Sequence, residues 1–134
     1  MSGFRWQARV YWEDTDGGGV VYYANYLKFL ERARTEWLRA RGFAQSALAI
    51  DPGVVFAVVS LNVEYRRPAR LDDLLCIGSE VAQTGATSLE FRQAIWRESE
   101  AGEQLLTATV RVACLDAQRF KPRRLPASLV QELG

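Results

Sequence analysis

The chain has 134 residues, 49% hydrophobic and 25% charged, enough for one globular domain spanning 1–134 with its own core and too few for two. A formal net charge of +1 gives no ground for nucleic-acid binding, and no stretch has the apolar length of a membrane span, so a cytoplasmic protein with no membrane insertion is expected. There is no histidine, which excludes Ser-His-Asp and Cys-His catalysis, histidine metal sites and His-dependent dehydration, and leaves carboxylates, backbone N–H groups and water to carry any chemistry.

In chain order, Phe4, Trp6, Ala8, Val10 and Trp12 alternate with Arg5, Gln7, Arg9 and Tyr11, the period of a strand with one buried face. The strand runs into Glu13-Asp14-Thr15-Asp16 and then Gly17-Gly18-Gly19, residue types that suit a turn. A helix is predicted from Tyr22 or Tyr23 to Arg41. Tyr26, Leu30, Ala33, Trp37 and Ala40 form its apolar stripe, and Phe29 widens it. Lys28, Glu31, Arg32, Thr35, Glu36 and Arg39 fall on the other face, with Glu31–Arg34 and Glu36–Arg39 as pairs at helical spacing, and Gly42 suits the left-handed residue after the end.

Residues 43–53 read as a connector with one short helical turn. Strands are predicted over 54–66, from Leu75 through Val81, over 89–95 and over 106–114, separated by turn residues at 68–73, Gly85 and 100–103. A short helix is expected near Ser128 to Leu133. Hairpin-length connections imply antiparallel neighbours, and one amphipathic helix can cover only one face. The fold class is therefore α+β, a curved antiparallel sheet of about five strands wrapped around one long helix, with the uncovered side most easily buried by oligomerisation. Cys76 and Cys114 each sit in a strand pattern and not in a Cys-x-x-Cys cluster, so they read as buried free thiols, and neither a metal nor a cofactor is expected.

The candidate site is the stretch between strand and helix. An acid at the mouth of a glycine loop, followed at once by a helix start, sets a carboxylate beside unpaired backbone N–H donors, an arrangement suited to chemistry on a carbonyl. Residue type alone also allows Asp14 and Asp16 to act as caps, the glycines to form a plain flexible turn, and Tyr22, Tyr23 and Tyr26 to pack in the core. Arg66, Arg67 and Arg70, with Arg119, Lys121, Arg123 and Arg124, suit phosphate binding through forked hydrogen bonds as well as they suit solvated turns.

Read together, Arg9 through Tyr26, followed by Phe29-Leu30-Glu31-Arg32-Ala33-Arg34-Thr35-Glu36-Trp37-Leu38 and by Val63 through Asp73, resemble the 4-hydroxybenzoyl-CoA thioesterase family of hotdog-fold enzymes. Within that family the likeness is strongest to the acyl-CoA thioesterases associated with the bacterial Tol-Pal system. The resemblance implies a hotdog fold, homodimers commonly paired into homotetramers, and hydrolysis of acyl-CoA thioesters with no metal or cofactor. It places the catalytic acid on Asp16 and the carbonyl-polarising donor on the backbone N–H of Tyr23. Gly18, Gly19, Val21, Tyr22, Arg66, Arg67 and Arg70 are the corresponding candidates for substrate contact. Tol-Pal-associated members tend to carry histidine where this chain has Tyr23, and tyrosine there is closer to the hydroxybenzoyl-CoA branch; a backbone donor does not depend on that side chain. Asp16 would act as general base or as nucleophile. The alternative from another class is a non-catalytic hotdog module that binds acyl carrier protein, CoA or another protein.

Overall fold

The computed structural model describes residues 3–133. Its elements are β1 (Phe4–Arg9), α1 (Tyr26–Ala40), α2 (Gln45–Ile50), β2 (Val54–Tyr65), β3 (Leu74–Thr84), β4 (Ser88–Arg97), β5 (Gln104–Asp116) and α3 (Ala127–Leu133), with single 3-10 turns at Trp12–Asp14 and Tyr23–Asn25. The five strands form one sheet in the order β1-β3-β4-β5-β2, every neighbour antiparallel. This is the α+β arrangement expected from the alternation, and the strands run two or three residues longer than the periodic pattern at several ends.

Cross-strand partners point to the same face, so the register spells out the core. Trp6, Ile77, Ile95, Leu106 and Tyr65 form one row across all five strands. Val81, Phe91, Val110 and Leu61 form another. Against this face α1 lays Tyr26, Phe29, Leu30, Ala33, Trp37 and Leu38, all buried. Trp37 meets Phe91 edge-on with centroids 5.0 Å apart. The stripe predicted for the helix is the one it buries, apart from Ala40, which is exposed where the helix ends; Leu38 takes the last buried place.

Between these apolar rows lies a polar one: Ser79 and Gln93 pair across β3 and β4 and are fully buried. Gln93 donates to the Leu30 carbonyl at 3.0 Å and to Ser79 Oγ at 2.9 Å, and accepts from the Arg34 guanidinium at 3.1 Å. The expected Glu31–Arg34 pair therefore does not form, because Arg34 turns under the helix toward the sheet; Glu36 and Arg39 do pair, at 3.2 Å. Cys76 and Cys114 are buried free thiols, as their strand positions suggested, and burial pushes both up from the ordinary thiol pKa.

The two sheet edges differ. β1 is six residues long, whereas β2 has twelve and a bulge at Val59. Val58, Val59, Leu61 and Tyr65 of β2 are 42–57% exposed. The second apolar row thus ends on an exposed Leu61.

Candidate active site

β1 stops at Arg9, three residues short of the predicted alternation's end at Trp12. Val10 is still buried, but Trp12, expected to point inward, is 79% exposed. The reason is the 3-10 turn at Trp12–Asp14, which breaks the period of two. Asp14, not Trp12, occupies the inward position: its carboxylate accepts the Tyr11 N–H at 2.8 Å, and its carbonyl accepts the Tyr22 N–H at 3.0 Å and the Asn25 amide at 2.9 Å. Asp14 is a buried structural acid that ties the end of the strand to the start of the helix.

Two residues later the chain makes a small hairpin. Thr15 pairs with Val21, the Asp16 N–H donates to the Val20 carbonyl at 2.9 Å, and Gly19 N–H closes the tip on the Asp16 carbonyl at 3.3 Å. Asp16 is exposed and its Oδ1 accepts the Gly18 N–H at 2.7 Å, an Asx turn that fixes the carboxylate. Among the described residues its Oδ2 has no hydrogen-bond partner. The loop demands its glycines: Gly19 sits at φ +80°, and a Cβ at Gly18 would come 3.2 Å from Asp16 Oδ1.

The helix opens with the 3-10 turn at Tyr23–Asn25, so α1 proper begins at Tyr26, four residues later than the earliest predicted start. Tyr23 is the first residue of this turn, and among the described residues its N–H has no acceptor, as expected of a helix's first donors. Its carbonyl is held by the Tyr65 hydroxyl at 2.8 Å. Val21 N–H donates to the Ala69 carbonyl at 2.9 Å and Val20 bridges Arg70, so the loop after β2 clamps the glycine hairpin from outside. The Tyr26 hydroxyl accepts the Ala69 N–H at 2.9 Å. Burial holds the Tyr26 phenol above its ordinary pKa, with a smaller push of the same sign from Asp73 and Asp16.

A shallow cleft of about 270 Å³ lies beside this clamp, lined by Val21, Tyr23, Tyr26, Tyr65, Arg66, Arg67 and Pro68. It gathers four of the residues singled out in the sequence: Val21, Tyr23, Arg66 and Arg67. Tyr22 is exposed and stacks on Tyr23 at 4.9 Å; Gly18, Gly19 and Asp16 sit in the neighbouring hairpin; Arg70 is exposed on the clamp loop, outside the cleft lining. Arg66 and Arg67 are exposed, near Glu64 at 3.5 Å and Glu103 at 3.6 Å, contacts worth little in water. Arg119, Lys121 and Arg124 are exposed on the loop after β5, and Arg123 is bound to the Gly53 carbonyl, so the second basic cluster belongs to another part of the surface. Tyr65, Asn25 and Ala69, which hold the helix start in place, carried no distinguishing signal: Tyr65 looked like one more apolar residue in a strand.

A second pocket, about 90 Å³, lies further along α1 between the helix and the sheet. Its walls include Leu38, Phe56, Leu89, Phe91 and Val112, and Glu31, Arg34 and Thr35 supply its polar side. Burial pulls the Arg34 guanidinium below its ordinary pKa, opposed by the charge of Glu31.

One long helix laid on a five-stranded antiparallel sheet defines a hotdog-fold protein, and among the described residues one Asp16 oxygen and the Tyr23 N–H near the helix start have no hydrogen-bond partner. The family model described as "Thioesterase superfamily" matches residues 18–104, and the chain belongs to that family. It is 52% identical over 130 residues to the acyl-CoA thioester hydrolase YbgC of Escherichia coli, covering 96% of this chain and 94% of that one. It is 44% identical over 125 residues to the acyl-CoA thioesterase YbgC of Haemophilus influenzae, covering 93% and 90%. Among solved structures, a probable thioesterase from Bartonella henselae superposes with a TM-score of 0.87 at 38% identity, covering 93% of this chain and 100% of that one. A mutant 4-hydroxybenzoyl-CoA thioesterase complexed with 4-hydroxybenzoyl-CoA superposes at 0.89 with 22% identity, covering 98% of each chain, a likeness of fold.

Proposed function

We propose that the protein hydrolyses acyl-CoA thioesters to the free acid and CoA, with Asp16 as the catalytic acid group and the Tyr23 N–H as the donor to the carbonyl oxygen. The observation that carries this reading is the pairing, within one clamped loop, of an exposed carboxylate with a free oxygen and a helix-start N–H without an acceptor. The names of the relatives and the fold of the neighbours support it.

In this reading the thioester oxygen receives the Tyr23 N–H, which stabilises charge as the carbonyl carbon becomes tetrahedral. Two routes are open to Asp16. As base it takes a proton from water, whose oxygen bonds to the acyl carbon while the C–S bond breaks and the thiolate takes up a proton. As nucleophile its oxygen bonds to the acyl carbon directly while the C–S bond breaks and CoA leaves as a thiolate that takes up a proton, giving an acyl-aspartyl anhydride that water then opens to the free acid and the regenerated carboxylate. Single-turnover hydrolysis in 18O-labelled water separates them: the nucleophile route delivers an unlabelled protein oxygen into the first product when water attacks the aspartyl carbon.

Gly18, Gly19, Val21 and Tyr22 bring backbone close to the acyl group, and Arg66, Arg67 and Arg70 are the donors for the CoA phosphates, the weak ion pairs of Arg66 and Arg67 and the exposure of Arg70 leaving them available. The working unit is a homodimer or a homotetramer built from such dimers, joined along β2. A twelve-residue edge strand with four exposed apolar side chains is otherwise a standing aggregation hazard, and two-fold antiparallel pairing of the β2 edges removes it. Residues 1–134 act as one hotdog domain in the cytoplasm; two buried unpaired thiols suit a reducing compartment, and no helix of the described residues is long and apolar enough to cross a membrane. Acyl carrier protein is the alternative carrier of the same thioester. Thiol release from acyl-CoA by the wild type and its loss in Asp16→Asn tests the assignment; near-normal release by that variant overturns it. Light scattering on Leu61→Glu, expected to report a monomer, tests the dimer.

A further inference from the structure

Arg34 has a position the reaction above does not use. It stands on α1 at the wall of the 90 Å³ pocket, half-buried, and among the described residues no carboxylate lies within ion-pair distance of it. Among the described residues it donates to Gln93 Oε1, and Gln93 is fully buried with its own amide donating to Leu30 and Ser79. The glutamine is thus an oriented holder, and its acceptor oxygen faces the guanidinium while the remaining guanidinium donors are left for something else. A half-buried guanidinium gains from an anionic ligand when its remaining donors lack a protein partner, and here Glu31 on the same pocket supplies only part of the opposing charge. The opposite walls, Leu38, Phe56, Leu89, Phe91 and Val112, are hydrocarbon. At about 90 Å³ the pocket is smaller than the roughly 150 Å³ cavity that takes up a benzene, room for the end of a short chain only.

We infer that this pocket receives the far end of the acyl group and that Arg34, held by Gln93, selects short acyl groups ending in a carboxylate. The inference rests on the proposed thioesterase dimer. Within one chain Arg34 is eleven residues beyond Tyr23, about 16 Å along the helix axis, too far for a short acyl group anchored at Tyr23. The two ends of β2 resolve this. Tyr65, at its C-terminal end, holds the Tyr23 carbonyl, while Phe56 and Val58, near its N-terminal end, line the pocket. Two-fold antiparallel pairing of the β2 edges sets one end opposite the other, so each catalytic loop faces the partner's copy of the pocket. Glu31 shares the pocket's polar side and is exposed, accepting from Thr35 at 3.3 Å; its carboxylate opposes an anionic guest, though solvent screens it more than it screens Arg34.

The test is thiol release from glutaryl-CoA and pentanoyl-CoA, acyl groups of equal length that differ in a terminal carboxylate. The wild type is expected to favour glutaryl-CoA in kcat/KM. Arg34→Met should reduce the glutaryl-to-pentanoyl ratio about tenfold to a hundredfold, the size of one charge-assisted hydrogen bond. Arg34→Lys should recover part of the ratio, and Glu31→Gln should raise it above wild type. Thermal unfolding of each variant reports whether the fold is kept. A wild-type ratio at or below one, or an Arg34→Met protein that is folded and keeps the wild-type ratio, overturns the inference. Calorimetric binding of the same two thioesters to Asp16→Asn gives a readout free of turnover: preference for glutaryl-CoA that Arg34→Met abolishes supports the pocket assignment even if no thioester is hydrolysed, a result that would sink the thioesterase reading alone.

Discussion

Asp14 and Asp16 are the same residue two positions apart, and the fold treats them in opposite ways. Asp14 is 8% exposed, with its carboxylate on the Tyr11 N–H and its carbonyl shared between Tyr22 and Asn25. Asp16 stands in solvent at the hairpin tip, tethered through one oxygen to Gly18. The difference shows how a buried acid and an exposed one are separated without any difference in side chain. The 3-10 turn at 12–14 spends one acid on connecting strand to helix, and the glycines then lift the next acid clear of the core.

The contrast can be broken from either side. The largest effect is expected at Asp16→Asn, a loss of about two to four powers of ten in kcat with an unchanged melting temperature, checked by thiol release and calorimetry. Next comes the backbone donor. Tyr22 already has φ −59° and ψ +129°, the conformation that precedes a proline, and Tyr23 is the first residue of its turn, where proline is tolerated. Tyr23→Pro should therefore fold yet lose about two to three powers of ten in kcat, while Tyr23→Phe, which keeps the N–H, should stay within a few-fold of wild type. An equal loss in both would assign the role to the phenol. Asp14→Ala should do the reverse of Asp16→Asn: a stability loss of about 1–3 kcal/mol in urea denaturation, from an orphaned Tyr11 N–H, with hydrolysis by the folded fraction largely kept. Tyr65→Phe removes one hydrogen bond from the Tyr23 carbonyl and should cost about threefold to tenfold in kcat/KM, the equivalent of about 0.5–1.5 kcal/mol. The smallest response is expected from the thiols. Burial raises the pKa of both Cys76 and Cys114, so a thiol reagent at neutral pH should label neither until denaturant is added; rapid labelling of the native protein would show that the strands carrying them open readily.

Much of this was legible before any coordinates. The alternation in Leu106 through Cys114 marks the face that β5 buries, and the helical stripe from Tyr26 to Trp37 is the one packed on it, because both signals are repeated many times and a single exception cannot erase them. The failures fall where the pattern is short. Trp12 continues the alternation in letters, but a three-residue turn shifts the phase and the side chain comes out into solvent. Arg34 and Glu31 have ideal pair spacing, yet a buried Gln93, fifty-nine positions away from Arg34, offers the guanidinium an acceptor that no local reading contains.

The sequence by itself determined the fold class, the order of the elements and the absence of histidine chemistry, since these follow from periodicity and residue type. Only the tertiary structure decided which of two neighbouring aspartates is free, that Tyr65 and Ala69 clamp the helix start, and that Arg34 turns inward to a pocket. Those outcomes depend on which distant backbone and side-chain groups arrive beside each residue, and a buried polar group takes whatever partner the packing brings within hydrogen-bond reach.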